Sequence, residues 1–256
     1  MQFGQMAVVL QTRQRQPDDV TSEHRVLDLR FSPAADVVAF GDLAGSVHLY
    51  TYAPAEAPQL AHTFRVHQEN TRCVRFTDDG ERVVTASSDG TLTMTHIAAA
   101  RPEIRAHAHA SGVYALDVQG NLIASGDEDG KIKVWDMRQR RCVVTHDEHH
   151  DYTAQLLIHG NTLFCAGGDG CMSTWDLRKN RVIGISQNMD EDLLSIAILG
   201  DDQHVVCGSQ SGALFVWSWD NWEAPILSLS RPVVVFSGAR AGRRPWGTAR
   251  RSGAHA

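Results

Sequence analysis

The feature that most constrains the fold of this chain is a glycine turn that recurs between two short apolar strands. Residues 122–124 are apolar, the second strand has Ile132, Val134 and Trp135 as its apolar residues, and Asp127-Glu128-Asp129-Gly130 lies between the two strands. An Asp-Gly pair in this setting predicts a tight β-hairpin, because glycine takes a positive φ angle without steric cost. Equivalent glycines stand at positions 45, 90, 170 and 212. Self-similarity at a period of about 40 residues indicates a repeat protein.

The repeated unit ends in Trp-Asp or a degenerate form of it, most clearly in GNLIASGDEDGKIKVWDMR and GNTLFCAGGDGCMSTWDLR. In this respect it resembles the WD40 repeat, which forms a four-stranded propeller blade. The expected fold class is therefore all-β, a WD40 β-propeller with about five blades. The repeats are placed at residues 22–53, 63–97, 104–138, 142–178 and 182–220.

The WD40 resemblance implies a buried hydrogen-bonded set in each blade: a His before the first strand, a hydroxyl, an Asp of the turn and a Trp. The expected members are His109, Ser125, Asp129 and Trp135 in repeat three, His149, Asp169 and Trp175 in repeat four, and His67, Thr85 and Asp89 in repeat two. Cys165 replaces the hydroxyl in repeat four, and Thr95 replaces the Trp in repeat two. Because buried polar groups are normally paired within the protein, a structural role is favoured for these histidines over a chemical one.

The amino-acid sequence of the repeats resembles one family more closely than it resembles WD40 repeats in general. The acidic GDEDG turn, the HHDY entry segment of repeat four and the WSWDNW ending follow one another at the spacing of the WD repeat-containing protein 55 family. The resemblance covers residues 22–222 and implies a seven-bladed protein of the nucleus and nucleolus, with the cytoplasm as an additional location. It implies a scaffold for pre-ribosomal factors in ribosomal RNA processing. The alternative that it leaves open is a substrate receptor of a cullin-4 ubiquitin ligase, bound through the damaged-DNA-binding adaptor.

Two segments carry the pattern Trp-Asp-x-Arg, and they are the candidate partner-binding sites. Asp136 and Arg138 belong to the first, and Asp176 and Arg178 to the second. An arginine just past a strand end presents a rigid fork of donors that suits the carbonyl or carboxylate groups of a partner protein. The alternative is a purely structural role, in which both aspartates stabilise local turns and the arginines are solvated.

The two ends of the chain depart from the repeats. Residues 1–21 include a possible strand at 7–10 that could complete a blade. Residues 223–256 are expected to form a divergent, poorly ordered tail, whose arginines are Arg231, Arg240, Arg243, Arg244, Arg250 and Arg251. Such a tail could bind RNA or direct the protein to the nucleus. The preferred alternative is a divergent or prematurely ended terminus, which would leave the family's last two repeats missing.

Charge and motifs exclude several other classes of function. The net charge is −6 although the tail is basic, so the repeats themselves are acidic and nucleic-acid binding by them is disfavoured. Five cysteines without a paired spacing indicate a reducing compartment. The sequence predicts no membrane span and no secretory signal. It shows no catalytic constellation, no cofactor motif and no metal-binding spacing, so we expect a protein that is not an enzyme.

Overall fold

The computed structural model describes residue 20 and residues 22–53, 57–200 and 202–229, and these ranges form five antiparallel sheets of four strands each. In chain order the strands are β1 (Val26–Phe31), β2 (Val37–Asp42), β3 (Ser46–Thr51), β4 (Gln59–Arg65), β5 (Thr71–Phe76), β6 (Arg82–Ser87), β7 (Thr91–His96), β8 (Arg101–His107), β9 (Val113–Gln119), β10 (Leu122–Asp127), β11 (Ile132–Asp136), β12 (Arg141–His146), β13 (Thr153–His159), β14 (Thr162–Gly167), β15 (Met172–Asp176), β16 (Arg181–Ile185), β17 (Leu193–Ile198), β18 (His204–Ser209), β19 (Leu214–Ser218) and β20 (Leu227–Leu229). Each sheet is one blade, numbered one to five, with its strands paired in sequence order.

The central hairpin of each blade forms where the glycine turns predict it. Gly45, Gly90, Gly130, Gly170 and Gly212 all have positive φ angles, between 74° and 86°. At Gly130 the neighbouring blade also comes close, because an added Cβ would lie 2.6 Å from the carbonyl oxygen of Asp151. The turn therefore requires glycine for its backbone conformation and for the packing of blade four against blade three.

The core lies between blades, in four apolar clusters that join successive sheets. The cluster between blades three and four is representative: it contains Ile132 and Val134 from one sheet and Leu156, Leu163 and Trp175 from the next. Equivalent clusters join blades one and two, two and three, and four and five. Each sheet thus buries its faces against its neighbours, as expected of a repeat array. Among the described residues, no comparable packing joins blade one to blade five.

The outermost strand of each blade corrects the repeat boundaries read from the sequence. The repeat pattern places residues 104–107 in the third unit, but β8 pairs with β7 of blade two. Blade five likewise extends through β20 to Leu229, past the expected boundary at residue 222. The physical reason is the short turn after Trp-Asp, which ends in a left-handed residue such as Arg140 (φ 52°) and folds the next segment back along the strand just completed.

The two terminal predictions fall largely on residues that the structure does not describe. The possible strand at residues 7–10 lies outside the described residues, and so does the arginine-rich segment from residue 231 onward. Within the described ranges, no helix has the length and apolar character needed to cross a bilayer.

Candidate functional site: buried histidine networks and the turns after Trp-Asp

A chain of hydrogen bonds crosses the interior of blade three. The indole N–H of Trp135 donates to Ser125 Oγ at 2.9 Å, and Ser125 Oγ lies 2.8 Å from Nε2 of His109. On the other side of the ring, Nδ1 lies 2.7 Å from Oδ2 of Asp127. Both ring nitrogens of His109 therefore have partners, which buried polar groups require.

The acid of this network is Asp127, and the expectation that Asp129 fills the role is wrong. Asp127 ends β10 and is 1% exposed, whereas Asp129 is exposed at the tip of the turn. The Asp127 side chain also accepts the backbone N–H groups of Asp129 and Lys131. Because the carboxylate at the first turn position already contacts the His109 ring, the exposed Asp129 at the third position does not take part in the network. The signal in the sequence is the acid that precedes Glu128-Asp129-Gly130.

Blades two and four have a small residue at that first position, and their acids come from the third. In blade four, Asp169 Oδ2 lies 3.0 Å from Nδ1 of His149, and Nε2 of the same ring contacts the hydroxyl of Ser173. Cys165 offers no hydroxyl to Trp175, and the buried indole N–H of Trp175 has no hydrogen-bond partner within the described residues. The structure thus joins His149 with Asp169 and leaves Trp175 to pack only.

In blade two, His67 and Asp89 are joined through a third residue that the sequence pattern misses. His67 Nε2 lies 2.8 Å from Thr85 Oγ1, and Nδ1 lies 2.8 Å from Thr91 Oγ1. The Thr91 hydroxyl in turn donates to Asp89 at 2.5 Å. Thr91 stands directly after the turn glycine, and its hydroxyl is the only signal that could have predicted it.

Burial keeps two of these histidines neutral. Burial lowers the pKa of His67 to about 4, because the charged ring would lose its hydration and Asp89 offsets only part of that loss. The pKa of His109 is lowered for the same first reason, against the opposing effect of Asp127. Neutral rings held on both nitrogens are structural parts of the blades, with no free nitrogen to offer a substrate or a metal ion. Within the described ranges, no group of three His, Cys, Asp or Glu side chains is placed to hold a metal.

In the turn after Trp135, the arginine side chain is paired with an aspartate of the same turn. Asp136 Oδ1 accepts the backbone N–H of Arg138 at 2.8 Å, and Oδ2 accepts Nη2 of the same residue at 3.0 Å. Hydrogen bonds from Arg138 hold the pKa of the Asp136 carboxyl well below its usual range. Arg138 is therefore exposed but paired with its own turn.

The equivalent turn after Trp175 leaves its arginine free. Asp176 Oδ1 accepts the backbone N–H groups of Arg178 and Lys179, at 2.9 and 3.0 Å. The exposed guanidinium of Arg178 makes no ion pair or hydrogen bond with any other described residue. The two turns lie at corresponding corners of adjacent blades, since Met137 and Leu177 donate to Asn121 and Asn161 in the same way. They form one candidate binding edge, with Arg178 as its available donor.

Comparisons with known proteins agree with this architecture. The family model described as "WD domain, G-beta repeat" matches residues 58–94 and 102–136. The crystal structure of RRP9 WD40 repeats superimposes with a TM-score of 0.73 at 16% identity, covering 82% of this chain and 65% of that one. The described residues therefore have the WD40 propeller fold, and a WD40 family model matches two of the repeats.

Its resemblance within that class is to WD repeat-containing protein 55. The Arabidopsis thaliana protein of that name is 36% identical over 193 residues, which cover 74% of this chain and 55% of the relative. The Drosophila melanogaster homolog is 32% identical over 123 residues, which cover 47% of this chain and 24% of that protein. The chain thus spans about half the length of the Arabidopsis relative, and the match covers about a quarter of the Drosophila one.

Proposed function

We propose that this chain is a non-catalytic scaffold that binds protein partners during ribosome biogenesis, in the processing of ribosomal RNA. The observation that carries the proposal is the similarity to the Arabidopsis WD repeat-containing protein 55 across most of the blades. The buried histidine networks support a binding role, because the histidines that could have served as acids or bases are used to hold the blades together. Its place of action is then the nucleus and nucleolus, with the cytoplasm as a second location.

The surface that we assign to partner binding is the edge formed by the turns after Trp135 and Trp175. Arg178 can donate to a partner's carboxylate or carbonyl groups at once, whereas Arg138 must first leave Asp136. The two residues are a matched pair, since both follow Trp-Asp and only one is paired within its turn. Binding through this edge should therefore depend more on Arg178 than on Arg138.

Affinity capture of the tagged full chain tests the proposal. Pre-ribosomal proteins should be captured with the unchanged chain, and Arg178→Ala should lower their yield by about tenfold, the loss of one good charged contact. Arg138→Ala serves as the control and should lower it by less than about threefold. Depletion of the protein from its own cells should lead to accumulation of unprocessed ribosomal RNA. Normal precursor levels after depletion would contradict the role in ribosome biogenesis.

A second candidate is a substrate receptor of a cullin-4 ubiquitin ligase. The specific observation in its favour is the pair of Trp-Asp-x-Arg turns at one edge of adjacent blades. The same capture experiment separates the two functions when the double variant Arg138→Ala with Arg178→Ala is included. Loss of the damaged-DNA-binding adaptor with pre-ribosomal proteins retained would favour the receptor, and unchanged capture of the adaptor would exclude it.

A further inference from the structure

An arginine begins the outer strand of each of blades two, three and four. Arg101, Arg141 and Arg181 occupy the same place in these blades, because each pairs with the last residue of the strand before it. All three residues are exposed. None of them forms an ion pair with another described residue, and Arg141 Nε donates only to Gln139 Oε1, at 2.8 Å. We call these three residues the arginine column.

The turns before β12 and β16 place further cations beside the arginine column. Arg140 directly precedes β12, and Arg178 and Lys179 lie in the turn before β16. All three are exposed, and among the described residues only Lys179 comes within 4.0 Å of an acid, Asp176. The arginine column therefore adjoins the binding edge described above, and together they form a band of positive charge along the outside of blades two to four.

The fold itself does not require cations in these turns. Residues 97–100 of blade two and 137–140 of blade three are turns of the same length between the same two strands of a blade. The last residue of each turn is left-handed, with a φ angle of 51° at Ala100 and 52° at Arg140. Blade two makes its turn with three alanines, so the charges of blades three and four are available for binding.

The acids of the band are occupied within the chain. Glu103 Oε2 accepts Arg82 Nε at 2.9 Å, and Asp136 Oδ2 lies 3.0 Å from Arg138 Nη2. Oδ1 of Asp176 accepts two backbone N–H groups of its own turn. The charge that the band presents to a ligand is therefore positive.

The opposite end of the blades carries acids. They lie in the glycine turns and in the segments that lead into the inner strands, whereas the outer strands begin at the other end of each sheet. Exposed examples are Glu128, Asp129, Asp147, Glu148, Asp151 and Asp190. The net charge of the chain, which led us to expect no nucleic-acid binding by the repeats, thus averages two surfaces of unlike sign.

The chemistry of the band favours a phosphate backbone as its ligand. Residues 138–141 and 178–181 are all polar and all exposed, so the band has no apolar centre. Interfaces between proteins have an apolar core, whereas interfaces with nucleic acids are more polar and much more positively charged. Guanidinium groups bind phosphate oxygens through pairs of hydrogen bonds, and the amides of Gln139 and Asn180 supply further donors.

We propose that the arginine column and the cations beside it bind the phosphate backbone of single-stranded RNA along the outer edge of blades two to four. Arg101, Arg141 and Arg181 each contact a phosphate group, and the order of the bases is not read. The inference rests on the proposed function for the source of the RNA, a ribosomal RNA precursor. It adds RNA to the protein partners assigned to the neighbouring binding edge.

RNA binding by the purified full chain tests this surface. The probe is a fluorescein-labelled oligouridine of about twelve nucleotides, followed by fluorescence anisotropy. If about four phosphates are neutralised, the affinity should fall about fiftyfold between about 50 and about 200 mM NaCl. Replacement of Arg101, Arg141 and Arg181 together by Ala should lower the affinity at low salt by about tenfold or more. The slope of log affinity against log salt should become shallower by about 2.

A charge-matched variant and a gain of charge serve as controls. Arg25→Ala with Arg65→Ala and Lys131→Ala removes the same charge at the acidic end, and should change the affinity by less than about threefold with the slope kept. Ala98→Arg gives blade two the arginine that follows Trp-Asp in blades three and four, and should steepen the slope by about 0.7.

Three results would overturn the proposal. The first is unchanged affinity and slope in the folded triple variant of the arginine column, as expected if the arginine-rich segment after residue 230 binds the RNA. The second is equal weakening by the charge-matched variant. The third is displacement of the RNA by an equal concentration of a polyglutamate peptide of the same length, which would assign the band to an acidic protein.

The proposed function and this surface can fail separately. Loss of RNA binding with capture of pre-ribosomal proteins retained after ribonuclease treatment would remove only the RNA surface. RNA binding through the arginine column, with normal ribosomal RNA precursors after depletion of the protein, would remove the role in ribosome biogenesis and leave the RNA surface standing.

Discussion

At the scale of single residues, the blades show that a hydrogen-bonding role can pass from one position of a turn to another. His109 uses the acid at the first turn position, Asp127, while His149 uses the acid at the third, Asp169. Blade one shows a third arrangement, in which the ring of His48 on β3 contacts Asp42 at 3.0 Å. The requirement that persists is a carboxylate with hydrogen-bond donors around it, and the position that supplies it varies.

The assignment of Asp127, and not Asp129, to the network of blade three leads to a prediction for two matched variants. Asp127→Ala should lower the free energy of unfolding by about 3 kcal/mol, because it strips His109 of its partner and leaves two backbone N–H groups of the turn unpaired. Asp129→Ala, two residues away on the exposed tip, should change it by less than about 0.5 kcal/mol. Urea denaturation followed by tryptophan fluorescence measures both values. Similar losses for the two variants would contradict the assignment of Asp127.

At the scale of elements, the glycine turns act as hairpin formers and also as contact points between blades. Gly130 has a φ angle of +84°, and a Cβ added there would lie 2.6 Å from the backbone oxygen of Asp151 and 2.8 Å from that of His149. Gly120, in the turn between β9 and β10, has a φ angle of +58° and open space around its Cα. The two glycines share the left-handed conformation and differ in whether another blade lies against them.

This difference separates backbone strain from packing between blades. Gly120→Ala should cost about 1 kcal/mol of unfolding free energy, the steric price of a left-handed residue. Gly130→Ala should cost at least about 2 kcal/mol more, because the added methyl group would push the segment before blade four away from blade three. Thermal unfolding of the two variants beside the unchanged chain tests this. If Gly120→Ala lowers the free energy of unfolding as much as Gly130→Ala does, the close approach of blade four at Gly130 does not contribute to stability.

At the scale of the whole molecule, each inner blade packs against a neighbour on both faces, whereas blades one and five each pack against one neighbour within the described residues. Leu227 lies opposite Val216, on the side of blade five away from the cluster shared with blade four, and is 47% exposed. Leu194 and Leu229 are exposed to 42% and 45%. Among the described residues, blade five therefore presents an apolar face like those that the inner blades bury against a neighbour.

The buried histidines make the stability of this array depend on pH. The pKa of His67 is near 4 in the folded chain and near 6.5 once unfolded, so the unfolded state binds a proton first as the pH falls. The stability that the neutral His67 ring contributes should be complete above pH 6.5 and should decrease by up to about 3 kcal/mol toward pH 4, and the lowered pKa of His109 acts in the same direction. Urea unfolding at a series of pH values measures the slope.

A matched pair of variants assigns that slope. His67→Gln should flatten the pH dependence, because the proton uptake on unfolding is removed with the ring. His107→Gln changes an exposed histidine and should leave the slope as it is. An unaltered slope in His67→Gln would mean that His67 does not carry the linkage.

The sequence by itself determined the class of fold, the number of blades within residues 22–229, and the turn at the centre of each. These follow from local rules: alternation of apolar residues, glycine at positive φ and a period of about 40 residues act within one short segment of chain. The resemblance to WD repeat-containing protein 55 was likewise readable from the segments that carry it.

Only the tertiary structure decided which sheet each outer strand joins, which acid meets each histidine and which arginine is free. Residues 104–107, Asp127 and Arg178 owe these properties to groups that lie beside them in space. Packing between blades depends on the shapes of both partners, and neither segment of sequence contains that information alone.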